Sequence, residues 1–393
     1  MPDVPTADTA CPRVLLFTDT LADVNGVSRF IRDMAAEARR ANRELIVFTS
    51  TNFPCEPAAN LRVFPPIVAM PMPRYSNLEL VLPPTRAMLA AARALHPDAV
   101  HVSTPGPVGL LGRFIARRLR VPLVGTYHTD FPAYVERLFD ESAGAICHAS
   151  MRAFYAPFER VLTRSRGFVP EVERLGVPRD RIAALTPGIR TETFSPSAHD
   201  PLLTGFTPGV LRVLSVGRVS VEKNLPLLAQ AWALADMRLR EANVDAELVV
   251  VGDGPYRAEM ERALRGTRHV FTGFRHDAAL AATYAGADLF VFPSRTDTLG
   301  QAVMEAQASG LPAIVSDAGG PREIVVHGET GMIVPGERAA AWADAIVTLA
   351  IDAPRRAAMG RRAAEFMRAH SIRASFEHFW ALHSEVIAQC IVP

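Results

Sequence analysis

Short runs of apolar, β-branched residues alternate with longer stretches of helical spacing along the whole chain. Runs of about five residues are typical of strands buried on both faces of a parallel sheet. Parallel neighbours need a crossover, and the helical stretches between the runs supply it. The alternation therefore predicts an α/β chain built from βαβ units. The predicted strands are 13–19, 45–50, 61–65, 99–103, 122–128, 181–186, 212–217, 247–254, 269–274, 289–294, 312–317 and 331–335.

A segment rich in Pro, Ser and Gly, residues 195–210, interrupts this alternation and has neither helical nor strand periodicity. The runs on either side are enough for one doubly wound, Rossmann-like domain each, and 393 residues suit two or three domains. We predict a first domain over 1–198 and a second over 199–370. Residues 371–393 are predicted to form a closing helix that returns to the first domain.

Composition excludes several classes of protein. The formal net charge of +1 gives no reason to expect a nucleic-acid partner. The four cysteines form no CxxC pair, so we expect neither a disulfide framework nor a structural zinc site, and a reducing cytoplasm fits best. These cysteines are Cys11, Cys55, Cys147 and Cys390.

A membrane span and a signal peptide are not predicted. The first residues lack an apolar segment, and no apolar run approaches about 18 residues. We expect a cytoplasmic protein, with peripheral contact to the inner face of a membrane left open. The basic helix 112–120 could touch anionic lipid headgroups. However, arginine populates every solvated face of this chain, and a solvated face is the favoured interpretation.

All of the 42 basic residues except Lys223 are arginines, and this lysine lies in the turn VGRVSVEKNL. The turn joins a predicted strand to a helix, and Gly217 permits a tight bend. Arg218 and Lys223 flank a helix N-terminus. The two cations and the positive end of the helix dipole together form a suitable binding site for a diphosphate. The alternative is two solvated cations. Because arginine is the basic residue everywhere else in this chain, a lysine is most easily retained where the larger guanidinium group does not fit.

A second cluster follows the predicted strand 289–294. Asp297 and Glu305 are eight residues apart and could accept hydrogen bonds from a polyol. The amides of 298–300 form a possible anion site at a helix start. The alternative is a capping aspartate and a buried glutamate satisfied by backbone. In open α/β sheets, ligands bind beyond the carboxyl ends of strands, where both clusters lie.

Nine segments, in this order, make the chain similar to family-4 glycosyltransferases, and the match covers essentially the whole sequence. The segments HTDFPAY and SRTDT most resemble those of lipid-directed mannosyltransferases and sulfolipid-synthase-like members of the family. The segments are FTDTLADVNGVSRFI (17–31), GTYHTDFPAY (125–134), TPGIRTETFSP (186–196), GRVSVEKN (217–224), VGDGP (251–255), TGF (272–274), SRTDTLGQAVMEAQASGLP (294–312), DAGGPREIV (317–325) and HGETGMIV (327–334).

The resemblance implies the GT-B fold, two facing Rossmann-like domains with a cleft between them. It also implies a retaining enzyme that moves a hexosyl group from a nucleotide-diphosphate sugar, GDP-mannose or a UDP-hexose, to a hydroxyl acceptor, a lipid or glycolipid. No metal or other cofactor is expected. The alternative is a catalytically silent nucleotide-sugar-binding protein or partner subunit of the same fold. A nucleotide-sugar epimerase is disfavoured, because no second acidic pair is present.

The resemblance also assigns roles to residues. Arg218 and Lys223 would neutralise the diphosphate, Glu305 would bind the ribose, and Asp297 and His128 would contact the transferred sugar. The expected catalytic residues are His128, Arg218, Lys223 and Asp297. The expected donor-binding residues are Gly26, Gly217, Arg218, Lys223, Gly273, Phe274, Asp297, Thr298, Leu299, Gly300 and Glu305.

Several of these assignments have alternatives. His128 could be a structural histidine. The segment HTD could suggest a metal site, but no second cluster of His or Cys residues in the sequence supports that interpretation. Gly26 could be a plain turn glycine. Gly273 and Phe274, with Arg275, would border the nucleobase. Two positions, 297 and 190, depart from the family pattern. Asp297 stands where the family usually has a glutamate. Arg190 stands where an aspartate is common and is not counted as a site residue.

Overall fold

The computed structural model describes residues 11–22, 26–72, 75–138, 140–336 and 338–391. The chain divides into two compact units. The first unit contains the chain up to Arg164, Val169–Leu185 and the residues from Phe376 onward. The second unit contains Ser165–Phe168 and Thr186–Ser375. Each unit is built around its own parallel sheet, which confirms the predicted α/β class.

The first unit contains a seven-stranded sheet in the order β3-β2-β1-β6-β7-β8-β9, and every pair in it is parallel. A separate antiparallel hairpin, β4-β5, was not predicted. The strands are β1 (Arg13–Phe17), β2 (Glu44–Ser50), β3 (Leu61–Phe64), β4 (Val68–Met72), β5 (Tyr75–Leu82), β6 (Ala99–Val102), β7 (Leu123–Tyr127), β8 (Arg160–Thr163) and β9 (Ile182–Ala184). The helices are α1 (Gly26–Arg40), α2 (Thr85–Ala94), α3 (Pro107–Leu119), α4 (Phe131–Leu138), α5 (Glu141–Tyr155) and α6 (Val169–Arg174).

The second unit contains a six-stranded parallel sheet in the order β12-β11-β10-β13-β14-β15. The strands are β10 (Leu211–Val216), β11 (Ala246–Val251), β12 (His269–Gly273), β13 (Leu289–Phe292), β14 (Ala313–Ser316) and β15 (Gly331–Val334). The helices are α7 (Pro201–Thr204), α8 (Leu225–Glu241), α9 (Arg257–Ala263), α10 (Asp277–Ala285), α11 (Gln301–Ala308), α12 (Ala339–Ile351), α13 (Ala353–Arg368) and α14 (Ile372–Ile391), the last of which continues into the first unit.

Apolar residues of the second sheet point alternately into two separate cores. Val213 of β10 packs in one core with Trp232 and Trp342, whereas its neighbour Leu214 packs in the other with Phe290. Because a strand places successive side chains on opposite faces, a fully apolar strand needs helices on both sides. This requirement produces the continuous apolar runs in the sequence.

The division between the units falls earlier than the predicted boundary at 198/199. Residues 186–198 lie with the second unit because Ile189 and Phe194 are buried in its core. Similarly, residues 371–375 remain in the second unit, where the Ser375 hydroxyl donates a hydrogen bond to the Thr186 carbonyl at 2.7 Å. The Pro, Ser and Gly composition of 195–210 therefore marks a surface segment rather than the boundary.

The last helix is anchored to the first unit by a buried chain of hydrogen bonds. His383 Nδ1 lies 2.7 Å from the Phe379 carbonyl, which can only accept, so Nδ1 carries the proton. His383 Nε2 then accepts from His101 Nδ1 at 2.9 Å. His101 Nε2 in turn accepts from the Thr126 hydroxyl at 3.1 Å. Every ring nitrogen in this chain of bonds has a partner only when both imidazoles are neutral.

We expect this anchor to weaken in acid. Burial lowers the pKa of His383 to about 4, and burial followed by the neighbouring His383 lowers the pKa of His101. An unfolded histidine titrates near 6.5, so the unfolded chain binds more protons than the folded chain between about pH 6.5 and 4. Stability is therefore lost as the pH falls through that window. The shift of His383 alone corresponds to about 3 kcal/mol.

Urea unfolding at several pH values measures this loss. The variant His383→Phe removes one titrating imidazole, so its free energy of unfolding falls less between pH 7.5 and 5 than that of the wild type. The control His96→Asn changes an exposed histidine with positive φ, which asparagine tolerates, and keeps the wild-type pH dependence. Equal slopes for His383→Phe and the wild type would contradict the neutral-pair interpretation.

Candidate functional site

The two predicted clusters follow neighbouring strands of the second sheet. The strands β10 and β13 lie side by side, and the chain proceeds outward from them in opposite directions across the sheet. Such a point of reversal leaves a crevice at the carboxyl ends of the two strands. The turn at 217–223 follows β10 and the loop at 293–300 follows β13, so the topology brings both to one edge.

Two glycines after β11 hold the turn after β10 in place. A Cβ at Gly252, which has φ +127°, would lie 2.0 Å from the Gly217 carbonyl oxygen. A Cβ at Gly254 would lie 2.4 Å from the Val219 carbonyl oxygen. The close approach allows backbone hydrogen bonds from Gly217 N to the Val251 carbonyl at 3.0 Å and from Val219 N to the Asp253 carbonyl at 3.0 Å. The glycines of VGDGP are thus packing residues. The signal in the sequence was two glycines directly after a buried strand.

Lys223 ends a single 3₁₀ turn, Val221–Lys223, and points across to the loop after β13. Asn224 follows with φ 56° and starts α8. The Lys223 Nζ donates to Asp297 Oδ1 at 2.7 Å and lies 5.9 Å from the centroid of the Phe292 ring. The two side chains are 26% and 21% exposed, so the pair is largely desolvated. An ion pair thus joins the two loops.

Asp297 has one satisfied and one unsatisfied carboxylate oxygen. Oδ1 accepts from Lys223, whereas Oδ2 is buried and has no hydrogen-bond partner among the described residues. Leaving a buried acceptor unpaired costs on the order of 1–3 kcal/mol. A carboxylate can only accept, so Oδ2 is suited to receive a hydroxyl group.

Arg218 lies on the outer side of the same turn. Its guanidinium is 3.6 Å from Glu222 Oε1, and the two side chains are 46% and 34% exposed. Exposed pairs of this kind contribute little and are screened by salt. An incoming anion can therefore compete with Glu222 for Arg218. Glu222 was not predicted as part of the site.

The loop after β13 is also supported by glycine packing. A Cβ at Gly320 would lie 2.1 Å from the Thr298 carbonyl oxygen, and Gly320 N donates to the Asp297 carbonyl at 2.7 Å. Gly300 has φ +82° and precedes the first residue of α11. Leu299 buries its side chain in the core, so only its backbone can contact a ligand.

Glu305 and Phe274 lie at two other parts of the same unit. Glu305 is the fifth residue of α11 and is 3% exposed. Gly273, with φ 71°, ends β12, and its carbonyl accepts from Gly252 N at 2.8 Å. Phe274 is 64% exposed and stacks on His276 with 6.3 Å between ring centroids. Arg275 is held by the Leu203 and Thr204 carbonyls of α7, at 3.0 and 3.1 Å.

The remaining predicted residues, His128 and Gly26, belong to the first unit. His128 directly follows β7, is 9% exposed and has its Nε2 at 2.8 Å from the Ser103 hydroxyl. Burial, and next the charge of Arg164, lower the pKa of His128, so its imidazole is neutral at pH 7. Arg164 is itself buried over the Phe30 ring at 4.2 Å, and burial lowers its pKa to about 10.

Gly26 is the first residue of α1 and is exposed. A Cβ built on it meets no atom of the described residues within 4 Å, so packing against this part of the chain does not require glycine there. Residues 23–25, which precede it in the predicted glycine loop, lie outside the described residues, as do residues 1–10.

The described ranges contain neither a candidate metal cluster nor a helix that could span a membrane. Within them, no three His, Cys, Asp or Glu side chains group together so that they could hold a metal ion. None of the helices in these ranges has the length and apolar character needed to span a membrane.

The two parallel-sheet units define the class of protein, and solved structures share the fold. Sucrose-phosphate synthase (tll1590) from Thermosynechococcus elongatus superposes with a TM-score of 0.75 at 21% identity, covering 97% of this chain and 100% of that one. Anabaena Alr3699/HepE, solved with UDP and glucose, gives a TM-score of 0.74 at 18% identity, covering 95% and 99%. The fold is therefore that of GT-B glycosyltransferases, as predicted.

Sequence comparison identifies the family. Residues 24–193 match the model for Glycosyltransferase Family 4, and residues 211–352 match the model for Glycosyl transferases group 1. A GDP-mannose-dependent alpha-mannosyltransferase of Mycobacterium tuberculosis is 33% identical over 87% of this chain and 89% of its own. Sulfoquinovosyl transferase SQD2 of Arabidopsis thaliana is 29% identical over 83% of this chain and 64% of its own. The chain belongs to the family-4, group 1 glycosyltransferases and is a glycosyltransferase.

Adding a methyl group at Gly252 should disturb the turn that carries Arg218. Gly252→Ala forces a backbone shift, because the new Cβ would overlap the Gly217 carbonyl. The matched control is Gly209→Ala, which also has positive φ, +80°, but has nothing within 4 Å of the new Cβ. We expect Gly252→Ala to lower the melting temperature by roughly 5 °C more than Gly209→Ala. Equal losses in thermal denaturation would show that the close approach is not a constraint.

Proposed function

We propose that this glycosyltransferase moves a mannosyl group from GDP-mannose to a hydroxyl group of a lipid or glycolipid, with retention of the α configuration. The GDP-mannose-dependent relative supports the donor, and the sulfoquinovosyl transferase supports a glycolipid product. A UDP-hexose is the alternative donor. The observation that carries the proposal is the carboxylate of Asp297, held through Oδ1 by Lys223 while the buried Oδ2 makes no hydrogen bond among the described residues.

The diphosphate of the donor would bind between Arg218 and Lys223. Both cations flank the recess that Gly217 and Phe292 line at the ends of β10 and β13. Arg218 would exchange its exposed contact with Glu222 for a phosphate oxygen. Lys223 would contact the diphosphate while still holding Asp297, because an ammonium group has three donors. Arg218 and Lys223 would both donate hydrogen bonds to the diphosphate, and we propose that the reaction needs no metal ion.

The sugar and nucleoside would extend from that point. Asp297 Oδ2 would accept a hydrogen bond from a hydroxyl of the transferred sugar. The buried Glu305 would accept from the ribose hydroxyls, and the exposed ring of Phe274 would pack against the base. In the first unit, the neutral imidazole of His128 would contact a sugar hydroxyl, and Gly26 would allow a close backbone approach to the donor.

The chemistry would be a front-face substitution. The bond from the anomeric carbon to the diphosphate oxygen breaks, and a bond to the acceptor oxygen forms on the same face. The acceptor proton passes to the departing diphosphate oxygen, so no protein nucleophile is consumed. Arg218 and Lys223 would stabilise the negative charge that develops on the leaving group. We further propose that the reaction takes place at the cytoplasmic face of a membrane, where a lipid acceptor is found.

A thermal-shift panel tests the donor. A ligand that binds only the folded chain raises the melting temperature, so GDP-mannose should give a larger shift than UDP-glucose at equal concentration. Asp297→Asn should reduce the shift for GDP-mannose more than the shift for GDP alone, because only the sugar contacts Oδ2. A larger shift with a UDP-sugar would assign the other donor. A shift without transfer to any hydroxyl acceptor would favour a catalytically silent binder.

Exchange of Lys223 tests the leaving-group role. Lys223→Ala should lower kcat by roughly 10²–10³-fold, as loss of an oxyanion donor does. Lys223→Arg keeps the charge but brings a wider group that can engage both oxygens of Asp297, and it should also impair turnover. The control Arg262→Ala removes an exposed cation from α9. Near-wild-type kcat in both Lys223 variants would refute the assignment.

A further inference from the structure

The ring of Phe30, in helix α1, is packed against three charged or aromatic groups of the first unit. The guanidinium carbon of Arg164 lies over the ring, 4.2 Å from its centroid. The imidazole centroid of His128 lies 5.3 Å away and is tilted by 62°. The ring of Phe379, in α14, lies 6.1 Å away at 75°. Phe30 is buried, so it links His128 to an arginine and to the last helix without intervening solvent.

The order of strands brings these side chains to one edge of the first sheet. β6, β7 and β8 are consecutive in the sheet, and Ser103, His128 and Arg164 each follow one of them directly. The Ser103 hydroxyl lies 2.8 Å from His128 Nε2. The sheet therefore sets where the three backbones lie, while Ser103 and Phe30 restrict how the imidazole is turned.

Arg164 is a buried cation that lacks an acidic partner in contact. It is 8% exposed, and its guanidinium makes neither a hydrogen bond nor an ion pair with the described residues. Arg212, a buried arginine of the second unit, also lies over a phenyl ring, that of Phe206, but it pairs with Glu247 at 3.3 Å. Burying a charge without such a partner is costly. Packing on a ring alone does not account for Arg164, so we expect its charge to act on a neighbour.

His128 is the neighbour on which the charge of Arg164 acts. A second cation close to a buried guanidinium is unfavourable, and the pKa of His128 is lowered by burial and next by Arg164. His101 of β6 also interacts with His128 but is held neutral, chiefly by burial and then by His383. Asp33 of α1 acts on Arg164. A neutral imidazole keeps one acceptor nitrogen, which an imidazolium lacks.

We propose that Phe30 and Arg164 are positioning residues for His128: the phenyl ring fixes the plane of the imidazole, and the guanidinium over that ring repels a second proton. Both residues would act through His128 rather than by touching a ligand, and neither was predicted as a site residue. Their part in the reaction depends on the proposed contact between His128 and a sugar hydroxyl.

NMR titration of the full chain with isotope-labelled histidine tests the positioning without any substrate. The spectrum of His128→Asn identifies the signals of His128. Arg164→Met keeps an unbranched side chain but removes the charge, so the pKa of His128 should rise and the imidazole should gain its proton at a higher pH than in the wild type. Phe30→Leu keeps an apolar side chain but removes the ring, so the His128 signals should shift and its pKa should also rise.

Turnover links the positioning to the reaction. Phe30→Leu should lower kcat/KM for the donor by roughly tenfold, about the effect of one lost hydrogen bond. Arg164→Met should change kcat/KM little in mildly alkaline buffer and progressively more as the pH falls, because protonation removes the acceptor nitrogen of His128. A purely structural role would lower the melting temperature without moving this pH profile.

The chain offers a matched control for each variant. Phe48→Leu changes a buried phenyl of the same unit that packs against the rings of Phe17 and Phe64, 5.0 and 5.3 Å away. Arg212→Met removes the buried arginine of the second unit that also lies over a phenyl ring. Both controls should lose stability but keep the wild-type titration of His128 and the wild-type pH profile.

The two readouts separate this proposal from the proposed function. Wild-type signals and titration of His128 in both Phe30→Leu and Arg164→Met would overturn the positioning role. If the signals of His128 move while kcat/KM stays at the wild-type value, in these variants and in His128→Asn, the positioning holds and the sugar contact of His128 is refuted.

Discussion

The ion pair between Lys223 and Asp297 fixes the geometry on which the candidate site depends. Its members come from the loops after β10 and β13, the two adjacent strands at which the chain reverses direction across the second sheet. The backbone of a glycine packs closely against each loop, Gly252 against the first and Gly320 against the second. These contacts restrict movement of the loops towards the glycines. Charge and close packing together therefore preorganise the two loops, so the proposed binding of a charged donor would need little reorganisation.

The sequence predicted the parallel-sheet class and the residues at the strand ends for a physical reason. A strand such as β10, buried on both faces, must be apolar throughout, and the polar residues directly after it must lie at the sheet edge. Arg218 and Asp297 follow two such strands, and for this reason the sequence predicted that both lie at the sheet edge. Periodicity does not give the order of strands in a sheet, however. That β10 and β13 are neighbours, which makes the ion pair possible, is seen only in the structure.

Features that depend on contacts between distant segments could not be predicted in this way. Gly252 packs against Gly217, and His101 is hydrogen-bonded to His383. Nothing in the sequence indicates that either pair of residues is in contact. The hairpin of β4 and β5 was missed because prolines interrupt its alternation. The domain boundary was placed too late because composition marks loops, whereas the burial of Phe194 in a core decides membership of a unit.

The single lysine has a physical explanation in the unsatisfied oxygen of Asp297. Everywhere else this chain uses arginine, whose planar fork commonly binds both oxygens of a carboxylate. An arginine at position 223 could satisfy Oδ1 and Oδ2 together and leave no acceptor for a sugar hydroxyl. The ammonium group of Lys223 is a compact donor that engages Oδ1 alone. Lysine thus pairs with one oxygen of the aspartate and leaves the other without a partner among the described residues, which is the arrangement that the proposed sugar contact requires.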